Sequence, residues 1–268
     1  MNKILKLFII NIMLMFSVIL PSQAKDVKFI QVTDIHFNST QAAIRNFDSL
    51  INKINNTKNL DFVAFSGDNI DTANKETLRD FLTMAKKIKV PYYVEIGNHD
   101  CFRTGGLSKD EYLKIVNEFS LRKFSSFNFV VKKNNLVFIF LDGAKEMIPA
   151  PNGYFKNDTI AWLEKQLDKN KKKKVVIIQH FPIVDIRPNS NHNLIKPEQY
   201  NRILSEHNNV IAIFAGHYHS VIEVERNGIY HIVTGAASGY EPMYREILIQ
   251  DNGKNNFDIF SQCIRIDK

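Results

Sequence analysis

The chain has 268 residues, 44% hydrophobic and 24% charged, which excludes global disorder and allows a core large enough to fix a polar site. Its two cysteines, Cys101 and Cys263, form no Cys-x-x-Cys pair, which excludes a thiolate zinc site, while a disulfide between them and two unlinked thiols both remain open. Of the formal net charge of +7, four lysines sit in one block, Lys171 to Lys174, which reads as a solvated turn and not as a nucleic-acid footprint.

The N-terminus has the pattern of a secretory leader. Lys3 and Lys6 precede an apolar run from Leu7 to Leu20, Pro21 ends it, and Ser22-Gln23-Ala24 places small residues for a cut after Ala24. Residues 1–24 are therefore expected to be removed, leaving a secreted or periplasmic domain over 25–268, with formal charge lowered from +7 to +5 by the loss of two lysines. The membrane is expected to matter only through this leader, were it left uncleaved. The run is short for a full span, and no later segment has eighteen consecutive apolar residues.

Short apolar strands then alternate with helical stretches. Val27 to Thr33 reads as a strand, Ala42 to Asn55 as a helix, Asp61 to Phe65 as a buried strand. Asn74 is placed to cap a helix to about Lys89, and Pro91 leads into a strand from Tyr92 to Ile96. This order predicts a largely parallel sheet with right-handed crossovers. A helix over Lys109–Phe119 follows, then strands Phe127–Val131 and Leu136–Leu141 joined by Asn134-Asn135, and a helix over Thr159–Lys169. Val175–Gln179 and Val210–Ala215 read as strands around a helix that Pro197 starts and His207 ends. Asn227-Gly228 and Asn252-Gly253 mark two closing hairpins. With no repeat or linker, the expected class is α/β: two packed mixed sheets with helices outside.

The chemistry sits where the strands end. Thr33-Asp34-Ile35-His36, Ser66-Gly67-Asp68-Asn69-Ile70-Asp71, Ile96-Gly97-Asn98-His99-Asp100, Gln179-His180 and Ala215-Gly216-His217-Tyr218-His219 each follow a buried strand with oxygen or imidazole donors. Carboxyl ends of parallel strands face one crevice, so segments distant in sequence converge there. In extended backbone, residues two apart project to the same side, which would aim Asp34 with His36, and His217 with His219, into one cavity. Gly67, Gly97 and Gly216 would permit the sharp turns that re-aim the donors. Carboxylate, imidazole and amide donors without thiolate suit Mn, Fe, Zn, Co or Ni. A carboxylate can bridge two such ions about 3.5–4 Å apart.

These five blocks, in this order, resemble the calcineurin-like metallophosphoesterases over about residues 27 to 240. The resemblance implies an αββα sandwich and two divalent metal ions. Asp34, His36 and His219 would hold the first, Asn98, His180 and His217 the second, and Asp68 would bridge them. A hydroxide between the ions would attack phosphorus, and His99 would act near the leaving oxygen, oriented by a hydrogen bond that it donates to Asp71. Purple acid phosphatases of this superfamily carry a tyrosine iron ligand where this chain has Asp71, so a colourless divalent pair is expected. The resemblance implies hydrolysis of a small phosphate mono- or diester, with a cyclic-nucleotide phosphodiesterase-like enzyme as one alternative and a non-catalytic metal-binding scaffold as another. Nucleic acid is not an expected partner, and the sequence does not determine the oligomeric state.

Weaker candidates line the expected rim, in the loops 143–158 and 185–196: Tyr154, Phe155, Arg187 and His192. Arg103 either contacts phosphate or is a solvated loop charge, and the latter is the commoner case. The small residues Thr234 to Gly239 either approach substrate closely or form a plain connection.

Overall fold

A computed structural model describes residues 26–185 and 190–266, so the leader, its cut after Ala24, and Arg187 lie outside the described residues. The chain opens as β1 (Val27–Val32), α1 (Gln41–Asn56), β2 (Phe62–Ser66), α2 (Lys75–Ala85) and β3 (Tyr92–Glu95), with the three strands parallel neighbours as the βαβαβ order predicts. Asn74 caps α2 by accepting from the Thr77 N–H at 2.9 Å. The helix ends at Ala85, four residues before the expected Lys89. Asn55 on α1 is one cause: its side chain donates to Lys87 O and accepts from Lys89 N, both at 2.9 Å, which holds the segment out of the helix. Pro91 is the other, since a residue before proline avoids helical backbone.

After α3 (Lys109–Phe119) come β4 (Phe129–Lys133) and β5 (Leu136–Leu141), an antiparallel pair whose turn uses Asn134 in the left-handed region. Then follow α4 (Asn157–Lys169), β6 (Lys174–Gln179), α5 (Glu198–Glu206) and β7 (Val210–Ala215), with β5, β6 and β7 parallel. The hairpin β8 (Ile222–Arg226) and β9 (Ile229–Val233) joins β7 through β9. The last pair, β10 (Met243–Asp251) and β11 (Phe257–Arg265), crosses to the other side of the molecule and lies antiparallel against β1.

Among the described residues, two mixed sheets result, ordered β11-β10-β1-β2-β3 and β4-β5-β6-β7-β9-β8, flanked by five helices. Strand alternation divides the core accordingly. Phe138 and Phe140 on β5 face the other sheet, while Val137 and Ile139 face helices. Phe29 on β1 stacks on Phe62 at 5.0 Å and meets Phe138 and Phe214 edge-on at 5.4 and 5.3 Å, so aromatic rings knit the sheets together. No helix among the described residues is long and apolar enough to cross a membrane. Cys101 and Cys263 are free thiols, which resolves the disulfide question in favour of two unlinked cysteines.

One polar residue spans the inter-sheet space. Gln31 on β1 is fully buried and donates to Ser66 Oγ on β2 at 2.9 Å and to Ala215 O on β7 at 3.1 Å. Its Oε1 accepts from Thr234 Oγ1 at 2.7 Å, so its amide is satisfied by both sheets at once.

Glu95, at the end of β3, is fully buried; Oε1 accepts from the Ile96 N–H at 3.0 Å and Oε2 has no partner. Burial, and then the charge of Asp142, push its carboxyl well above the usual range of about 4.5. An acid raised in this way stabilises the fold fully below its unfolded pKa, and the contribution fades as pH climbs toward the folded value. Glu95→Gln should therefore melt like the parent near pH ~4 and increasingly above it as pH rises. Parallel Tm–pH curves for the two proteins would show that Glu95 is not neutral in the fold.

Candidate metal centre

Each block lies at a strand end, and the backbone there differs from the expected alternation. Asp34, His36, Asp68, His217 and His219 all have φ between 47° and 71°, in the left-handed region. Each such non-glycine residue costs of order 1 kcal/mol or more, and surrounding structure must hold it. Backbone hydrogen bonds do so: Asp34 N donates to Gly67 O at 3.0 Å and His36 N to Asp68 O at 3.0 Å. Asp34 and His36 thus converge through two left-handed residues, not through extended pleating.

The glycines also divide by role. Gly67 takes φ +99°, which favours glycine, and an added Cβ would also stand 2.6 Å from the His180 ring. Gly97 and Gly216 serve close approach alone: an added Cβ would stand 2.1 Å from Asp68 Oδ1 and 1.9 Å from Thr33 Oγ1 respectively.

The side chains form two principal groups. Asp34, His36 and His219 offer donor atoms all within 4.8 Å of one another, and so do Asp68, His180 and His217. His219 Nε2 lies 3.3 Å from Asp34 Oδ1, and His180 Nε2 lies 3.3 Å from Asp68 Oδ2. Asp68 Oδ2 is also 3.9 Å from His36 Nε2, so this carboxylate stands between the groups. His180 Nδ1 donates to Ser66 O at 3.0 Å, which leaves Nε2 for the cavity.

Burial penalises charge throughout, and the partners decide the outcome. Burial opposes the imidazolium of His180, yet the carboxylates of Asp68 and Asp34 prevail and hold its pKa at about 9. Burial and the His180 charge push His217 down to about 3. Burial disfavours ionised Asp34 and Asp68, but His180 above all keeps both below the usual carboxylate range.

Four buried polar atoms here have no hydrogen-bond partner: Asp34 Oδ1, Asn98 Oδ1, His180 Nε2 and His217 Nε2. An unsatisfied buried polar atom costs about 1–3 kcal/mol, so four in one place call for a ligand. Oxygen and imidazole nitrogen are donors suited to divalent transition metals, and the residues fit such ions.

A third group, His36, Asp71 and His99, adjoins the first. Here the expected role of Asp71 needs correction. Its backbone carbonyl, not its carboxylate, accepts from His99 Nδ1, at 2.7 Å. The Asp71 carboxylate turns instead to His36 Nδ1, 3.6 Å away. The physical reason is reach: the chain curls at residues 70–71, with Asp71 N donating to Phe37 O, and this presents the carbonyl to His99. Asp100, whose part in the third block is not evident from spacing, also finds its place. Buried, it accepts from the N–H groups of Gly97, Asn69 and Ile70 at 2.8–3.0 Å and so ties the second block to the third.

A family model described as calcineurin-like phosphoesterase matches residues 27–221. The chain belongs to this family. A protein of Arcobacter nitrofigilis named a probable glycerophosphodiester phosphodiesterase is 31% identical, covering 78% of this chain and 77% of its own. Human tartrate-resistant acid phosphatase type 5 is 26% identical over 74% of this chain and 67% of its own. A Danio rerio dimetal phosphatase shares the fold, with TM-score 0.64 and 14% identity over 90% of this chain and 99% of that one. Membership makes the chain a metal-dependent phosphoric ester hydrolase.

Around the centre of this phosphoesterase, the weaker candidates separate. His192 lines the cavity, its ring 5.4 Å from that of His217. Phe155 is buried against Tyr200 at 5.0 Å and belongs to the core. Arg103 pairs with Glu146 at 2.9 Å, which ties two loops together instead of reaching the centre. The segment Thr234–Gly239 supports β1: Ala237 N donates to Thr33 O at 2.9 Å and Ser238 Oγ to Asp34 O at 2.7 Å.

Proposed function

We propose that residues 25–268 form an exported two-metal hydrolase of small phosphate esters, released from its leader by a cut after Ala24. The observation that carries this reading is the set of four orphaned donor atoms gathered at strand ends from both sheets. In this reading Asp34, His36 and His219 hold one divalent ion, Asn98, His180 and His217 hold the other, and Asp68 serves both. Mn, Fe, Zn, Co and Ni all suit the donor set. Such a pair of ions binds the phosphoryl oxygens and activates water.

The chain's own groups supply the rest. The Asp71 carbonyl can only accept, so His99 carries a proton at Nδ1, and Nε2 is left to hold or deliver a proton at the leaving oxygen. His99→Ala should keep its metal content, because the bond from residue 99 to Asp68 Oδ1, 2.9 Å, comes from backbone N–H. Turnover should fall roughly 10²–10⁴-fold, the usual worth of a lost acid–base group. Loss of metal in this variant would refute the assigned role.

The test of function is metal-stripped protein reloaded with Mn²⁺ and assayed on p-nitrophenyl phosphate, bis-p-nitrophenyl phosphate and 3′,5′-cyclic AMP in parallel. Metal-dependent turnover supports the reading, and the pattern of rates names the ester class. No turnover with any divalent metal would favour a non-catalytic scaffold.

A further inference from the structure

The cavity over the centre, about 450 Å³, does not stand alone. A second cavity of about 560 Å³ meets it at Asn98, His99 and Pro151 and runs away from the metal ligands. The two have unlike walls. Beyond the ligands, the first is lined by His192, Asn193, Tyr218 and Ser220. The second has an apolar wall made by Ala73, Phe102, Pro149, Ala150 and Pro151.

That wall is built, not loosely draped. Phe102 N donates to Leu107 O at 2.7 Å, and the Phe102 ring packs so closely on Gly105 that a Cβ there would stand 1.9 Å from it. Arg103 N donates to Glu146 O at 2.8 Å, and Lys109 N to Glu146 Oε2 at 2.9 Å, which locks the Phe102 loop to the loop carrying Pro149–Pro151. Phe102 nevertheless remains 38% exposed, an aromatic surface open to the cavity.

Shape narrows the ligand further. The polar and the apolar cavity meet at Asn98, His99 and Pro151, so a phosphoryl group seated at the centre has room for one arm in each. A diester carries two such arms and a monoester one.

We propose that the substrate is a phosphodiester whose leaving arm carries an apolar group, seated against Phe102 and Pro149–Pro151, with its other arm against the polar wall of His192 and Tyr218. This rests on the hydrolytic reading above. Water's oxygen adds to phosphorus, and the bond from phosphorus to the alcohol in the second cavity breaks. One proton of the water reaches the departing oxygen by way of His99, which lines both cavities; the other goes to the monoester product or to solvent. The arm past His99 is therefore the one that leaves.

The test is calorimetric binding of O-alkyl methylphosphonates, stable monoanionic diester mimics, from ethyl to hexyl, to the Mn²⁺-loaded protein. Affinity should rise about two- to fourfold per methylene, as for a chain entering an apolar site. Phe102→Ser and Ala150→Asp, each checked for metal content and Tm, should flatten that rise. A flat series in the parent protein, or a rise that survives both substitutions, overturns the proposal even if bis-p-nitrophenyl phosphate is hydrolysed. Metal-dependent hydrolysis of hexyl phosphate with none of ethyl hexyl phosphate overturns its diester part. A rise that the substitutions abolish supports the proposal, and absence of turnover would then count against the hydrolytic reading alone.

Discussion

Asp68→Ala should leave the protein with less than one bound ion per chain and no measurable turnover. Its carboxylate lies 3.3 Å from His180 Nε2 and 3.9 Å from His36 Nε2, and its Oδ1 accepts the His99 N–H at 2.9 Å. One side chain thus meets three blocks. Removing it strips His180 of the first of the carboxylates that hold its pKa at about 9 against burial. Breaking a buried charge pair from one side costs about 3–5 kcal/mol, so the metal-free variant should also melt lower. Asp68→Asn separates the effects, because it keeps an acceptor for the His99 N–H and loses only the charge. It should share the lowered melting that comes from the lost charge pair, escape the part that comes from the lost His99 bond, and still fail to retain metal. Two ions retained in the alanine variant, by elemental analysis after dialysis, would remove Asp68 from the centre.

Gly97→Ala is expected to rival that loss with a single methyl group. The added Cβ would lie 2.1 Å from Asp68 Oδ1 and 2.5 Å from Asp68 backbone N. A side chain could rotate away, but the backbone nitrogen cannot, so the loop carrying Asn98 and His99 must move. Overpacking of this kind costs about 1–3 kcal/mol or more, and here the displaced atoms are donors of the centre. Metal affinity should therefore fall together with Tm. Gly228→Ala provides the comparison: it has φ 76° with nothing within 4 Å of the added Cβ, so it should cost only backbone strain, about 1 kcal/mol, and leave metal binding intact. If the two variants bound metal alike, close packing would not be the reason for Gly97.

Much of the fold and most of the centre are legible in the amino-acid sequence. Runs such as Leu136–Leu141 and Val175–Gln179 mark buried strands, and turn pairs such as Asn227-Gly228 mark hairpins. The ligand blocks are legible because each follows such a run. Features that depend on a neighbour distant in the chain are hidden. Extended backbone at Asp34 and His36 is the natural local choice, and bonds to Gly67 O and Asp68 O override it. The family resemblance suggests a carboxylate at Asp71 that orients His99, but the register with Phe37 presents its carbonyl instead. Gly97 and Gly216 read as turn residues because nothing in their own segments reveals Asp68 or Thr33 beside them. That β10 lies against β1 is equally invisible locally, since its strand pattern says nothing of its partner.

The Gln31 amide bears on the order in which the molecule is made. Its bonds reach Ser66, 35 residues on, Ala215, 184 residues on, and Thr234, 203 residues on. Contacts so distant in sequence close late, because loop entropy must be overcome before they form. Asp34 and His217, joined at 2.9 Å across 183 residues, close with them. No stretch shorter than Asp34 to His219 can therefore build the centre, and uptake of metal becomes a chemical clock for these long-range closures. Mixed with a refolding chain, a metal-sensitive dye would report the last long-range step, while secondary structure watched by circular dichroism would already be in place.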